Sequence, residues 1–191
     1  MGHTERTTDG QTDGWTNGQT DKVIQIPPSP QYLYRTEIEC WNIHSIQDSE
    51  DHTQRRSALV ARELAQLDIN IAALSKVCFA KQGSLMEHGA GYTLSWSGKN
   101  KDESYLSDVS FMIKTFIARK LQNLPVGHSD CLTSLRLPIK DNKFATILSV
   151  HAPTLQADTE VKEDFYRDLH NLKQQVDSTL LILGDFSTRV E

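Results

Sequence analysis

Changes in the period of apolar positions mark the elements along the chain. Residues 38–44 carry the aliphatic and aromatic content of a short strand, and polar loop residues follow through Gln54. Val60, Leu64 and Leu67 then fall at i, i+4 and i+7, which aligns their side chains on one face and predicts a helix. Asp68-Ile69-Asn70 leads into Ile71-Ala72-Ala73-Leu74, an unbroken apolar run that reads as a buried strand. Further strands are predicted over 92–96, 109–113, 132–137 and 144–150, with Gly, Asp, Asn or Ser clusters between them. Val161, Phe165, Leu169, Leu172 and Val176 are spaced by steps of three or four and predict a second helix. Asp158 and Glu160 suit the positive end of its dipole. Leu180-Leu181-Ile182-Leu183, ending at Gly184-Asp185, reads as a central strand buried on both faces. Alternating strands and helices of this kind predict an α/β sandwich rather than an all-β barrel or a bundle.

The first 36 residues belong to a different class. Thr8, Thr12, Thr16 and Thr20 recur every four residues in a segment almost without apolar side chains. Such a segment buries too little to offset roughly 1–2 kcal/mol per residue of backbone ordering. Pro27-Pro28-Ser29-Pro30 reads as an extended linker, because proline fixes its own φ and disfavours helix in the residue before it. The boundary falls near Thr36, with a low-complexity tail and linker over 1–36 and one domain over 37–191.

Composition narrows the setting. A chain of 191 residues that is 38% hydrophobic and 24% charged suits one soluble core. No stretch approaches the ~20 apolar residues of a membrane helix. The N-terminus lacks a secretory apolar run and has Arg6 where a myristoylation signal wants Ser or Thr, so an intracellular location, nuclear or cytoplasmic, is expected. Cys40, Cys78 and Cys131 are odd in number and widely spaced, which predicts reduced structural thiols. A net charge of −5 gives no overall basic surface, so binding to a nucleic-acid backbone would need a local patch.

The candidate chemistry stands at strand ends. Trp41-Asn42-Ile43 and Leu183-Gly184-Asp185-Phe186 put an amide and a carboxylate where open α/β sheets form sites. Oxygens of this kind can bind a hard divalent cation that neutralises phosphate charge and assists phosphodiester hydrolysis. The plainer alternative is turn chemistry at Gly-Asp and sheet capping at Asn42. His44, His52, His88, His128 and His170 show no metal-ligand spacing, and neither a phosphate-cradling glycine loop nor a nucleophile elbow is present.

A series of segments in fixed order makes a resemblance specific. It comprises Trp41-Asn42-Ile43, Ala61-Arg62-Glu63-Leu64, Asp68 to Ser75, Gly83-Ser84-Leu85, Glu87 to Tyr92, Trp96 to Lys101, Ala152-Pro153-Thr154 and Gly184-Asp185-Phe186. Over about the last four-fifths of the chain it resembles the endonuclease domain of retrotransposon (LINE-type) endonuclease-reverse transcriptases and the craniofacial development protein 2-like host proteins. The resemblance implies the endonuclease/exonuclease/phosphatase fold, two packed mixed sheets flanked by helices, and magnesium-dependent nicking of DNA. It implies that Asn42 helps order the metal and phosphate site and that Asp185 orients or deprotonates the attacking water.

Departures from that pattern carry the rest of the expectation. The family's metal-binding Glu, in the loop after the second strand, corresponds to Lys76. An ammonium has no lone pair for magnesium, and unit like charges about 4 Å apart repel by around 4 kcal/mol at an effective dielectric of 20. A second reading pairs the Lys76 ammonium with Asp185 in a folded, metal-free site. His151 replaces the family's phosphate-contacting Tyr and can still donate to a phosphate, though a surface role is the plain reading. Ser187 replaces an Asn and is shorter. Asp108 and Ser110 replace glycines, which would strain a turn. The family's later Asp-His pair has no counterpart in this sequence, so the fold is expected to be C-terminally truncated, with sheet edges open to a protein partner. The expected function is a degenerate copy of a magnesium-dependent DNA endonuclease, inactive alone. The alternatives are a non-catalytic host module binding protein or nucleic acid, and a nuclease completed by further sequence.

Overall fold

The computed structural model describes residues 36–43, 55–80, 82–96, 106–139 and 143–186. The low-complexity tail, Ser187, His44 and His52 lie outside the described residues. Two mixed sheets form the body. The first has strand order β1-β2-β5-β4-β3, built from β1 (Ile38–Asn42), β2 (Ile71–Ala80), β5 (Leu106–Lys114), β4 (Tyr92–Trp96) and β3 (Gly83–Glu87). The second has order β6-β7-β8-β9, from β6 (Val126–Ser129), β7 (Leu132–Pro138), β8 (Phe144–His151) and β9 (Thr179–Asp185). Among the described residues only β1–β2 and β8–β9 pair in parallel, and each of those crossovers carries a helix: α1 (Arg56–Gln66) and α3 (Thr159–Gln175). A short α2 (Thr115–Ala118) follows β5. No described helix is long and apolar enough to cross a membrane.

The pleat divides each sheet's side chains between two cores. Ile38, Ile71, Ala73, Phe111 and Ile113 of the first sheet meet Leu135, Leu137, Ile147 and Leu183 of the second, so this cluster lies between the sheets. The outer face of the first sheet packs Ala72, Leu74, Leu94 and Met112 against Ala61 and Leu64 of α1. The outer face of the second packs Leu148 and Val150 against Phe165 of α3, with Leu169 and Leu172 partly buried beside them.

Two helix stripes differ at their ends from the sequence expectation. In α1 the buried residues are Ser57, Ala61 and Leu64, whereas Leu67 is 57% exposed. The reason is that Leu67 is already the C-cap. Asp68 follows in the left-handed region at φ 55°, its N–H bonds to the Ala65 carbonyl, and the Ile69 N–H bonds to the Leu64 carbonyl. These are the two bonds of a Schellman ending, and the accompanying contact between Leu64 and Ile69 lies in the buried cluster. In α3, Val161 is exposed, and Lys162 donates to the Leu155 carbonyl at 2.6 Å. Arg167 pairs with Asp164 at 2.6 Å.

β9 also departs from expectation. Its apolar run does serve two cores: Leu181 and Leu183 face the inter-sheet cluster, and Leu180 and Ile182 face α3. Yet β9 stands at the end of its sheet among the described residues rather than at its centre, and its first six residues are exposed or half-buried except Leu183.

Behind α1, the buried Tyr92 hydroxyl donates to the Ile69 carbonyl, and Lys114 pairs with Asp68 at 2.5 Å. Burial, with the Asp68 charge adding to it, pushes the Tyr92 hydroxyl up to about 12 from its ordinary value of 10. The unfolded chain therefore gives up this proton first, and between those values it holds fewer protons than the native state. Stability is expected to fall as pH rises through that window. Urea midpoints of the parent should drop between pH 10 and 12 more steeply than those of Tyr92→Phe. Parallel curves would refute the assignment.

Candidate active site

Four strands bring polar side chains to one end of the inter-sheet space. Ile38 and Cys40 belong to the inter-sheet cluster or pack on it, so Asn42, at the next i+2 position of β1, continues the same face. The same alternation carries Leu181 and Leu183 on to Asp185 in β9, and Ile147 on to Ser149 and His151 in β8. The apolar core between the sheets thus ends in a polar rim made of Asn42, His151 and Asp185.

Contacts across the rim join the sheets. Asn42 Nδ2 donates to Asp185 Oδ2 at 2.5 Å, closing a contact between residues 143 positions apart. His151 Nδ1 lies 3.5 Å from Asp108 Oδ2 of β5. His151 and Asp185 are Cα partners in the parallel β8–β9 ladder, so the two side chains stand side by side. The main chain locks this corner: His151 N–H bonds to the Cys131 carbonyl at 3.0 Å and Ala152 N–H to the Asp185 carbonyl at 2.9 Å. Cys131 lies beneath, its thiol pushed up to about 11 by burial, with Asp108 and Asp130 adding to the shift. It is a packed thiol rather than a nucleophile.

Two polar atoms at the rim are buried without a hydrogen-bond partner: Asn42 Oδ1 and His151 Nε2. Leaving a buried polar group unmet costs about 1–3 kcal/mol, so a pair of them at one place is a feature to be accounted for.

Lys76 is differently placed from expectation. It stands inside β2, not in a loop beyond it, because Phe79 and Ala80 resume pairing with Ser107 and Leu106 after the register slips. Ser75 pairs with Val109 and Phe79 with Ser107, so Lys76, Val77 and Cys78 together oppose Asp108. This bulge holds Lys76 at φ 60° and Cys78 at φ 57°, while Val77 between them is fully buried. Lys76 makes no ion pair with Asp185 among the described residues, where the carboxylate takes the Asn42 amide instead. Asp108 and Ser110 lie in β5 with φ outside the left-handed region, so the turn strain expected of them does not arise.

The donor set departs from the all-oxygen shell of magnesium. That ion takes a near-octahedral shell of oxygens, usually with one or two carboxylates. The rim offers the Asp185 carboxylate already bound to an amide, the Asp108 carboxylate beside His151, an amide oxygen and an imidazole nitrogen, with the Lys76 ammonium in the strand beside Asn42. Among the described residues no three His, Cys, Asp or Glu side chains gather as a cation cage.

Sequence reasoning identified Asn42, Asp185 and His151, which the fold brings together. It treated Asp108 only as a replaced glycine and missed its place beside His151. His128, without metal-ligand spacing in the sequence, bonds through Nε2 to Ser134 Oγ at 2.8 Å.

Comparison with solved structures gives the architecture a name. The chain is similar to an endonuclease/exonuclease/phosphatase family protein from Leptotrichia buccalis C-1013-b, with a TM-score of 0.52 and 13% identity over 80% of this chain and 67% of that one. The chain therefore has the endonuclease/exonuclease/phosphatase-type fold. No protein-family model and no curated protein matches it.

Proposed function

We propose that this chain is a non-catalytic derivative of a magnesium-dependent DNA endonuclease domain of the retrotransposon type, with the fold kept and the hydrolytic site dismantled. The supporting observation is the state of Asp185. Its carboxylate accepts the Asn42 amide at 2.5 Å, while Lys76 occupies the position of an acidic ligand. A carboxylate engaged in this way, without a second acidic ligand among the described residues, is poorly placed to hold magnesium or to activate water.

DNA phosphodiesters are the substrate class from which this reading starts, and loss of nicking is its test. Supercoiled plasmid is incubated with the purified chain in magnesium, beside Asp185→Ala and a triple variant carrying Lys76→Glu, His151→Tyr and Ser187→Asn. No nicking by the parent is expected. Magnesium-dependent nicking that disappears in Asp185→Ala would overturn the proposal. Nicking by the triple variant alone would support it and locate the defect.

A further inference from the structure

We propose that the free edge of β9 pairs with the β9 edge of a second copy of this chain, antiparallel and about a two-fold axis at Ile182, joining two four-stranded sheets into one. Such pairing is independent of whether the rim cleaves DNA.

Main-chain geometry shows which groups the edge presents. In a parallel ladder successive residues of a strand aim their N–H and C=O alternately at one neighbour and at the other. Asp185 aims at β8, because its carbonyl accepts the Ala152 N–H. By alternation Leu181 and Leu183 aim the same way. Leu180, Ile182 and Gly184 then present their groups at the edge, where no strand follows among the described residues. Edge strands are normally blunted by charge, proline, a bulge or short length. β6, at the other end of this sheet, is four residues long with a slipped register. β9 has none of these devices: Thr179 to Gly184 carries no charge and no proline, and its register with β8 is unbroken.

The residue order of the strand selects a second copy as the occupant. A two-fold contact sets the same surface on both sides, so residue i meets j where j meets i. With the axis at Ile182, Leu180 of each copy lies opposite Gly184 of the other, a large side chain against none, and Leu181 lies opposite Leu183. The edge-facing groups of Leu180, Ile182 and Gly184 fall opposite one another as hydrogen-bonded pairs. Leu180, Leu181 and Ile182, which the fold leaves half-buried, gain cover on both faces of the sheet. Asp185, the one charge of the strand, falls opposite Thr179 and away from its own counterpart.

Sedimentation equilibrium of the full chain from about 1 to 300 µM tests the pairing. A monomer–dimer equilibrium is expected, with a dissociation constant in the micromolar range that suits a small interface. Thr179→Asp sets like charges against Asp185 twice per dimer and should weaken it about two- to thirtyfold, and Thr179→Lys should strengthen it by a similar factor. Thr179 is exposed, so both variants are expected to fold, which circular dichroism checks. Val126→Asp and Val126→Lys make the same changes in net charge at an exposed position on β6. At physiological salt they should leave the constant within about twofold of the parent's. A chain that is monomeric at every concentration, whatever else covers the edge, overturns the proposal. So does a dimer that responds to the Val126 pair, or one that Thr179→Asp and Thr179→Lys leave equal.

Discussion

Gly184→Ala is expected to cost about 3 kcal/mol of stability or more, because there is no room for a methyl group at that position. A Cβ there would lie 1.8 Å from the Val150 carbonyl oxygen and 2.6 Å from Val150 Cγ2. Val150 and Gly184 are direct partners in the β8–β9 ladder, so relief requires the two strands to part. The obstacle is backbone, which cannot rotate away as a side-chain tip can. Separation at this point would also carry Asp185 away from Asn42. Urea unfolding of parent and variant measures the difference, and a loss below about 0.5 kcal/mol would show that β9 moves aside freely.

Phe111→Ala should cost a similar or larger amount, about 3–5 kcal/mol, for a different reason. Phe111 is fully buried in the cluster between the sheets, where Ile38, Ile71 and Ile113 face Leu135 and Ile147. Removing the ring leaves a cavity bounded by two sheets, and neither can close on it without disturbing its own ladder. Leu124→Ala is the control: that side chain is 54% exposed, and a change within about 0.5 kcal/mol is expected. Comparable losses in the two variants would show that the inter-sheet cluster is not where stability resides.

The elements legible in the sequence were those whose period is set by a single burial rule. Residues 92–96 were bounded correctly as a strand, and the stripe through Phe165, Leu169 and Leu172 does face the second sheet. Short, exposed elements gave no such signal. Val126–Ser129 alternates exposed and half-buried, with a glycine among four residues, and α2 is a single turn. Leu67 misled because apolar spacing continues past the residue at which the backbone turns left-handed. The edge position of β9 was equally hidden, since packing on both faces demands the same apolar run whether or not a further strand lies alongside.

At the rim, Asn42 and Asp185 were legible because each ends a strand and each stands in a segment that carries the resemblance. The contact between Asp108 and His151 was not, because it depends on how two sheets face each other and on a bulge three residues long. Alternation alone puts Asp108 on the opposite face of β5 from Val109 and Phe111, and only the irregularity opposite it shows that regular alternation fails there.

The distance in sequence between Asn42 and Asp185 has a consequence for the nascent protein. At ribosomal rates of about 5–20 residues per second, the 143 positions separating them take roughly 7–30 s to make. Within that interval the first sheet can pair within itself, since β5 ends at Lys114, well before Asp185 is added. Ile38, Ile71 and Phe111 then face water until the second sheet arrives to cover them. The amide of Asn42 waits longest of all for its partner, which only the last described strand supplies.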